Sequence, residues 1–139
     1  MKMKQRGFTL LELLVVLLII GMLAAFVGPK YFGQIAKSQT QVAGAQIESL
    51  SQALDQFRVD TGHYPSTTEG LAALYASPGS TSEPQWNGPY LKKAVPPDPW
   101  GNAYVYTIPS TVPGRDYDII SYGADGQPGG TGVNADVTN

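Results

Sequence analysis

Two stretches of this sequence hold residues that could do more than pack. The first is Ser121–Asp136, where five glycines surround Asp125, Asn134 and Asp136. Two carboxylates and an amide oxygen are hard donors, and the glycines let the backbone turn tightly enough to add carbonyl oxygens. Such a set suits Ca2+ better than a transition metal, although the spacing is not that of an EF-hand. The same residues also read as a solvated glycine-rich turn whose aspartates make Asx-turns. The second is Glu12, the one charge in the apolar run Phe8–Gly28. An acid at the centre of a membrane helix costs roughly 2.5–3.5 kcal/mol, and less near the interface, so such groups are usually kept for a partner. The bland alternative is a glutamate that snorkels to the interface.

Composition closes off most other chemistry. With no cysteine there is no disulfide, thiolate nucleophile or cysteine-ligated zinc. The single histidine, His63, falls in the turn Thr61-Gly62-His63-Tyr64-Pro65, where a lone imidazole is expected to be structural. No phosphate-binding P-loop, H-E-x-x-H or G-x-S-x-G is present. Asp116 and Asp118 alternate along an expected strand and read as surface acids. The chain is therefore expected not to be an enzyme.

Both stretches need elements to position them. Phe8–Gly28 as a helix spans about 30 Å, enough for a bilayer core. A secretory signal would have a shorter apolar core and a better exit than Ala24-Ala25-Phe26. A plain signal anchor fits the length and the basic flank Lys2, Lys4 and Arg6, which places the N-terminus in the cytoplasm. Neither explains Glu12. Without those three basic residues, six remain against 11 acidic ones, which argues against a nucleic-acid partner.

Beyond Pro29, which is expected to bend the chain, Ile47, Leu50, Leu54 and Phe57 form one helical stripe that Val42 and Ala43 extend. Gly62 and Pro65 predict a helix end near Thr61. Ser66-Thr67-Thr68-Glu69 reads as a capping box opening a short helix through Leu74, and 77–87 as a loop. Ala103–Thr107 and Arg115–Ser121 read as strands, joined by a Pro/Gly-rich hairpin connection. Trp100 and the tyrosines are expected in the core. The fold class is α+β: a long transmembrane and stalk helix packed on a small antiparallel sheet. The expected divisions are a leader at 1–7, a membrane or fibre-core helix at 8–28, an amphipathic stalk at 29–62 and a head at 63–139.

These residues also carry a resemblance. Gln5-Arg6-Gly7 followed by Phe8-Thr9-Leu10-Leu11-Glu12 resembles the leader of type IV pilins and pseudopilins. That resemblance implies cleavage between Gly7 and Phe8 by a prepilin peptidase, N-methylation of Phe8, and pairing of Glu12 with the Phe8 amine of a neighbouring subunit. Thr61-Gly62-x-Tyr64-Pro65, Thr68-Glu69-Gly70-Leu71, Gly88-Pro89-Tyr90-Leu91 and Pro97-Asp98-Pro99-Trp100-Gly101 are similar to the major pseudopilins of type II secretion, the general secretion pathway protein G family.

The family implies one structural calcium in the C-terminal loop, held by the side chains of Asp125, Asn134 and Asp136 and the carbonyls of Tyr122 and Gln127. Asn134 departs from the aspartate often found there, and the sequence stops at Asn139 without the tryptophan-containing tail of many relatives. The implied setting is a single-pass inner-membrane protein with a periplasmic head. Its implied partners are further copies of itself, minor pseudopilins, the prepilin peptidase and the inner-membrane assembly platform, with no nucleic acid. The implied work is to help drive folded proteins across the outer membrane. The alternatives are a type IV pilus subunit for adhesion or DNA uptake, and a membrane-anchored binding module that never polymerises.

Overall fold

A computed structural model describes residues 7–79, 81 and 83–139 of the 139. Lys2, Lys4 and Arg6, and with them the leader apart from Gly7, lie outside the described residues. One helix, α1 (Leu10–Thr61, 52 residues), continues through Pro29. The chain falls into two units, Met1–Ile35 and Ala36–Asn139.

In the first unit the large apolar side chains of α1 are exposed. Leu10 is 80% exposed, Leu18 61% and Phe26 75%. The helix is long and apolar enough to cross a membrane, and a face apolar all round at this length suits lipid rather than water.

The second unit supplies the core. Ile47, Leu50, Ala53, Leu54 and Phe57 of α1 meet Leu71, Ala73, Leu74, Tyr104, Tyr106, Tyr117 and Ile119. Ala43 is fully buried, whereas Val42 remains 45% exposed and is not part of that stripe. The helix stops where expected. Gly62 takes φ 88°, a left-handed conformation open to glycine, and its N–H donates to the Arg58 carbonyl at 2.8 Å.

Ser66 and Glu69 form the expected reciprocal capping pair: the Glu69 carboxylate accepts from the Ser66 N–H at 2.8 Å, and the Glu69 N–H donates to Ser66 Oγ at 3.2 Å. The helical segment that follows is a 3-10 turn, Leu71–Leu74.

The sheet has three short antiparallel strands in the order β1 (Val105–Thr107), β2 (Asp118–Ser121) and β3 (Val137–Thr138). Val105 pairs with Ile120, and Ser121 with Val137. The third strand's pairing brings the end of the chain back beside β2. The acidic glycine-rich segment is therefore closed into a loop between neighbouring strands.

Two further expectations are corrected. Asp118 is not a surface acid: it is 2% exposed, and its carboxylate accepts from Ser110 Oγ at 2.5 Å and from the Thr111 N–H at 2.8 Å. The hairpin connection curls back over β2 and satisfies the charge. Trp100, Tyr31 and Tyr75 lie outside the hydrophobic cluster, the two tyrosines 65% and 45% exposed, whereas Trp86 packs on that cluster and donates from Nε1 to the Ala73 carbonyl at 2.8 Å.

Candidate functional site

At the front of α1 the chain builds a capped helix start around the acid. Thr9 precedes the first helical residue, and its hydroxyl accepts from the Glu12 N–H at 3.2 Å. The Glu12 carboxylate reaches back to the Thr9 N–H at 2.9 Å and the Thr9 hydroxyl at 3.0 Å. This is a reciprocal capping box, which satisfies helix-start donors that otherwise have no partner. Glu12 thus has a partner within its own chain. The signal, T-x-x-E ahead of an apolar run, stands in the sequence at Thr9 as plainly as S-x-x-E does at Ser66, although only the Ser66 box is among the expectations above. Gly7 has open space around its Cα, and Phe8 is 80% exposed, so the Gly7–Phe8 bond lies on an uncovered segment.

The acidic loop is the second candidate. Its outgoing limb leaves β2 through Tyr122 and Gly123, and its incoming limb returns through Val133–Asp136 to β3. The limbs touch at Gly123. A Cβ there would lie 2.8 Å from the Asn134 carbonyl carbon and from the Val133 carbonyl oxygen, so only glycine fits. The Ala124 N–H closes the contact by donating to the Val133 carbonyl at 2.9 Å. Gly130 approaches Asn134 as closely: its Cβ would sit 2.5 Å from the Asn134 carbonyl oxygen.

The expected ligands divide into those already engaged and those free. Asp136 accepts from the Gly129 N–H with both oxygens, at 3.0 and 2.9 Å. Asp125 accepts from the Gln127 N–H at 3.1 Å, the Asx-turn of the alternative reading. The Asn134 side chain and the Tyr122 and Gln127 carbonyls take no hydrogen bond from the described residues. Among the described residues Arg58 pairs with Asp116, and His63 Nε2 lies beside Glu83, so neither Asp125 nor Asp136 faces a base. Two uncompensated carboxylates, a free amide and two free carbonyls fit a hard divalent cation in donor chemistry. No cluster of three or more His, Cys, Asp or Glu is present among the described residues. A set of two acids plus neutral oxygens does not require one.

His63 is bound on both sides. Nδ1 lies 2.9 Å from the Tyr64 carbonyl and Nε2 lies 3.2 Å from Glu83. It ties the end of α1 to the following loop.

One 52-residue helix, apolar all round in its N-terminal part and packed in its C-terminal part on a small three-stranded sheet, is the architecture of a pilin-like, membrane-anchored subunit. Comparison with known proteins places the chain within that class. A family model described as type II secretion system (T2SS), protein G, matches residues 30–139, and one described as the prokaryotic N-terminal methylation motif matches residues 2–28. Proteins named type II secretion system core protein G are similar over most of the chain. The Pseudomonas aeruginosa protein is 41% identical, covering 98% of this chain and 95% of its own. The Vibrio cholerae protein is 43% identical, with coverages of 98% and 92%. The crystal structure of the major pseudopilin from the type 2 secretion system of enterohaemorrhagic Escherichia coli superposes with a TM-score of 0.63 at 33% identity, covering 78% of this chain and 91% of that one. The chain belongs to the type II secretion system protein G family, the major pseudopilins. It is a structural subunit of the pseudopilus, of a family that is not an enzyme family.

Proposed function

We propose that this subunit is made as a precursor, cut between Gly7 and Phe8, N-methylated on Phe8, and added to a periplasmic fibre through its N-terminal helix. The precursor is anchored in the inner membrane with its head in the periplasm. Further copies, minor pseudopilins, the prepilin peptidase and an inner-membrane assembly platform are its partners, and the growing fibre helps drive folded proteins across the outer membrane. The observation that carries this reading is Glu12 at the front of an uncovered apolar helix, held by Thr9. In a packed fibre the same carboxylate gains a cationic partner in the Phe8 amine of a neighbour. An ion pair between two full charges in low dielectric is stronger than the bonds the same carboxylate accepts from the uncharged Thr9 donors. The apolar side chains exposed on the single chain then pack on one another instead of on lipid.

The head is held together at the loop by one calcium ion in this proposal. Asp125, Asn134 and Asp136 would hold it through their side chains, and Tyr122 and Gln127 through their carbonyls. The bound ion supplies the positive charge that the two aspartates lack. These residues come from both limbs, so the loop stays closed while the ion is bound.

The test is Glu12→Ala in cells that express the secretion system. Retained cleavage with loss of fibres, measured by shearing and electron microscopy, is expected. Normal fibre yield from that variant refutes the pairing.

A further inference from the structure

The loop is gripped from beneath by a turn in a different part of the chain. In Pro97–Asn102, Asp98 is 3% exposed, and its carboxylate accepts from the Trp100 N–H at 3.1 Å, the Asn102 N–H at 2.8 Å and the Ser121 hydroxyl at 2.5 Å. Ser121 Oγ in turn accepts from the Gly123 N–H at 3.4 Å. The Asn102 side chain donates to the Gly123 carbonyl at 3.0 Å. Gly123 is thus held at both its N–H and its C=O.

Two peptide orientations follow. The Tyr122–Gly123 peptide is trans, so the Tyr122 carbonyl points opposite to a Gly123 N–H aimed at Ser121, away from the buried Asp98–Ser121 pair. The Gly123–Ala124 peptide has its carbonyl on Asn102, so the Ala124 N–H points the other way and meets Val133 on the incoming limb. Farther along, Gly126 sits over the Asn102 amide, its Cβ position 3.5 Å from Nδ2.

We infer that Asn102, fixed by Asp98, is a positioning residue for the calcium loop: it sets the outgoing limb in its ligand-ready shape before any ion binds. This rests on the calcium proposal for the ion, but not for the loop. Groups that orient metal-bearing backbone or side chains typically change metal affinity 10–100-fold when removed. The Asn102 backbone N–H and carbonyl are both bonded to Asp98, at 2.8 Å each, so replacing the side chain leaves the turn itself intact.

The experiment compares the full chain in detergent micelles with Asn102→Ala and Asn102→Asp, the second being equal in size but unable to donate to Gly123. Amide exchange is measured without calcium, and Ca2+ binding by calorimetry. Faster exchange at Ala124 and Gly126 in both variants, with Ca2+ affinity weakened roughly tenfold or more, is the expected result. Exchange and affinity both within twofold of the parent overturn the inference. If the parent takes up no Ca2+, the calcium proposal falls, and the exchange rates alone decide the positioning role: faster in both variants upholds it, unchanged refutes it.

Discussion

Asp98→Ala removes the acceptor of three donors at once, and the structure sets the size of the effect. The Trp100 N–H, Asn102 N–H and Ser121 O–H all point at a carboxylate that is 3% exposed. Hydrogen bonds to a charged group contribute about 1.5–3 kcal/mol each, which sets an upper range of about 5–9 kcal/mol. The true figure is smaller, because the buried carboxylate lacks a basic partner among the described residues and its desolvation cost disappears with it. The three bonds also share one acceptor and do not add. A loss of about 3–5 kcal/mol remains, equivalent to at least about 12 °C in the Tm of a head of this size. Asp98→Asn keeps one carbonyl oxygen but turns an NH2 toward a donor, and is expected to lose about half as much. Near-ultraviolet circular dichroism during thermal unfolding, on the full chain in detergent, reads the loss directly through the head aromatics. A drop below about 1 kcal/mol for Asp98→Ala, no larger than a surface change, refutes the buried knot.

Other predictions follow from the same structure. Leu54→Ala, at a fully buried position, should cost about 3–5 kcal/mol in chemical denaturation. Arg58→Ala, whose ion pair to Asp116 spans 3.3 Å between side chains more than half exposed, should cost under about 1 kcal/mol. The Asp118 carboxyl is held below the usual aspartate range by the Ser110 hydroxyl first, aided by Thr111 and Arg115 and opposed by burial. Its stabilising contribution is therefore complete above the unfolded aspartate value near 3.9 and is lost as the pH falls from there through the lower folded value. Tm against pH should decline less steeply in that acid window for Asp118→Asn than for the parent. Chelating calcium should remove about 2.7 kcal/mol relative to a hundredfold excess over Kd. It should also open the 122–136 loop to proteolysis, visible as new fragments by mass spectrometry.

Much of this was legible in the sequence where the physics is local. The stripe Ile47, Leu50, Leu54, Phe57 needs only helical periodicity, and the stop at Gly62 needs only a residue free to take positive φ. The Ser66–Glu69 pair is a four-residue matter. What the sequence hid depends on residues distant along the chain. Asp98 reads as one more turn-former until Ser121, 23 residues on in β2, donates to it. Asp118 alternates like a surface acid until Ser110 and Thr111 fold over it. A two-residue strand such as Val137–Thr138 has no periodicity to detect, yet its pairing with β2 closes the loop. Asp125, Asn134 and Asp136 were legible as oxygen donors, whereas the contact of the limbs at Gly123 required the structure. The Thr9–Glu12 capping box is a four-residue signal too, and it stands directly ahead of the apolar run.

The central claim is that an N-terminal leader is removed so that Phe8 begins a fibre-forming helix. The most direct measurement is the intact mass and N-terminal residue of the protein purified from its native membrane. A chain that begins at N-methylated Phe8 is the predicted result. A chain that still begins at Met1, in a cell with an active prepilin peptidase, contradicts it.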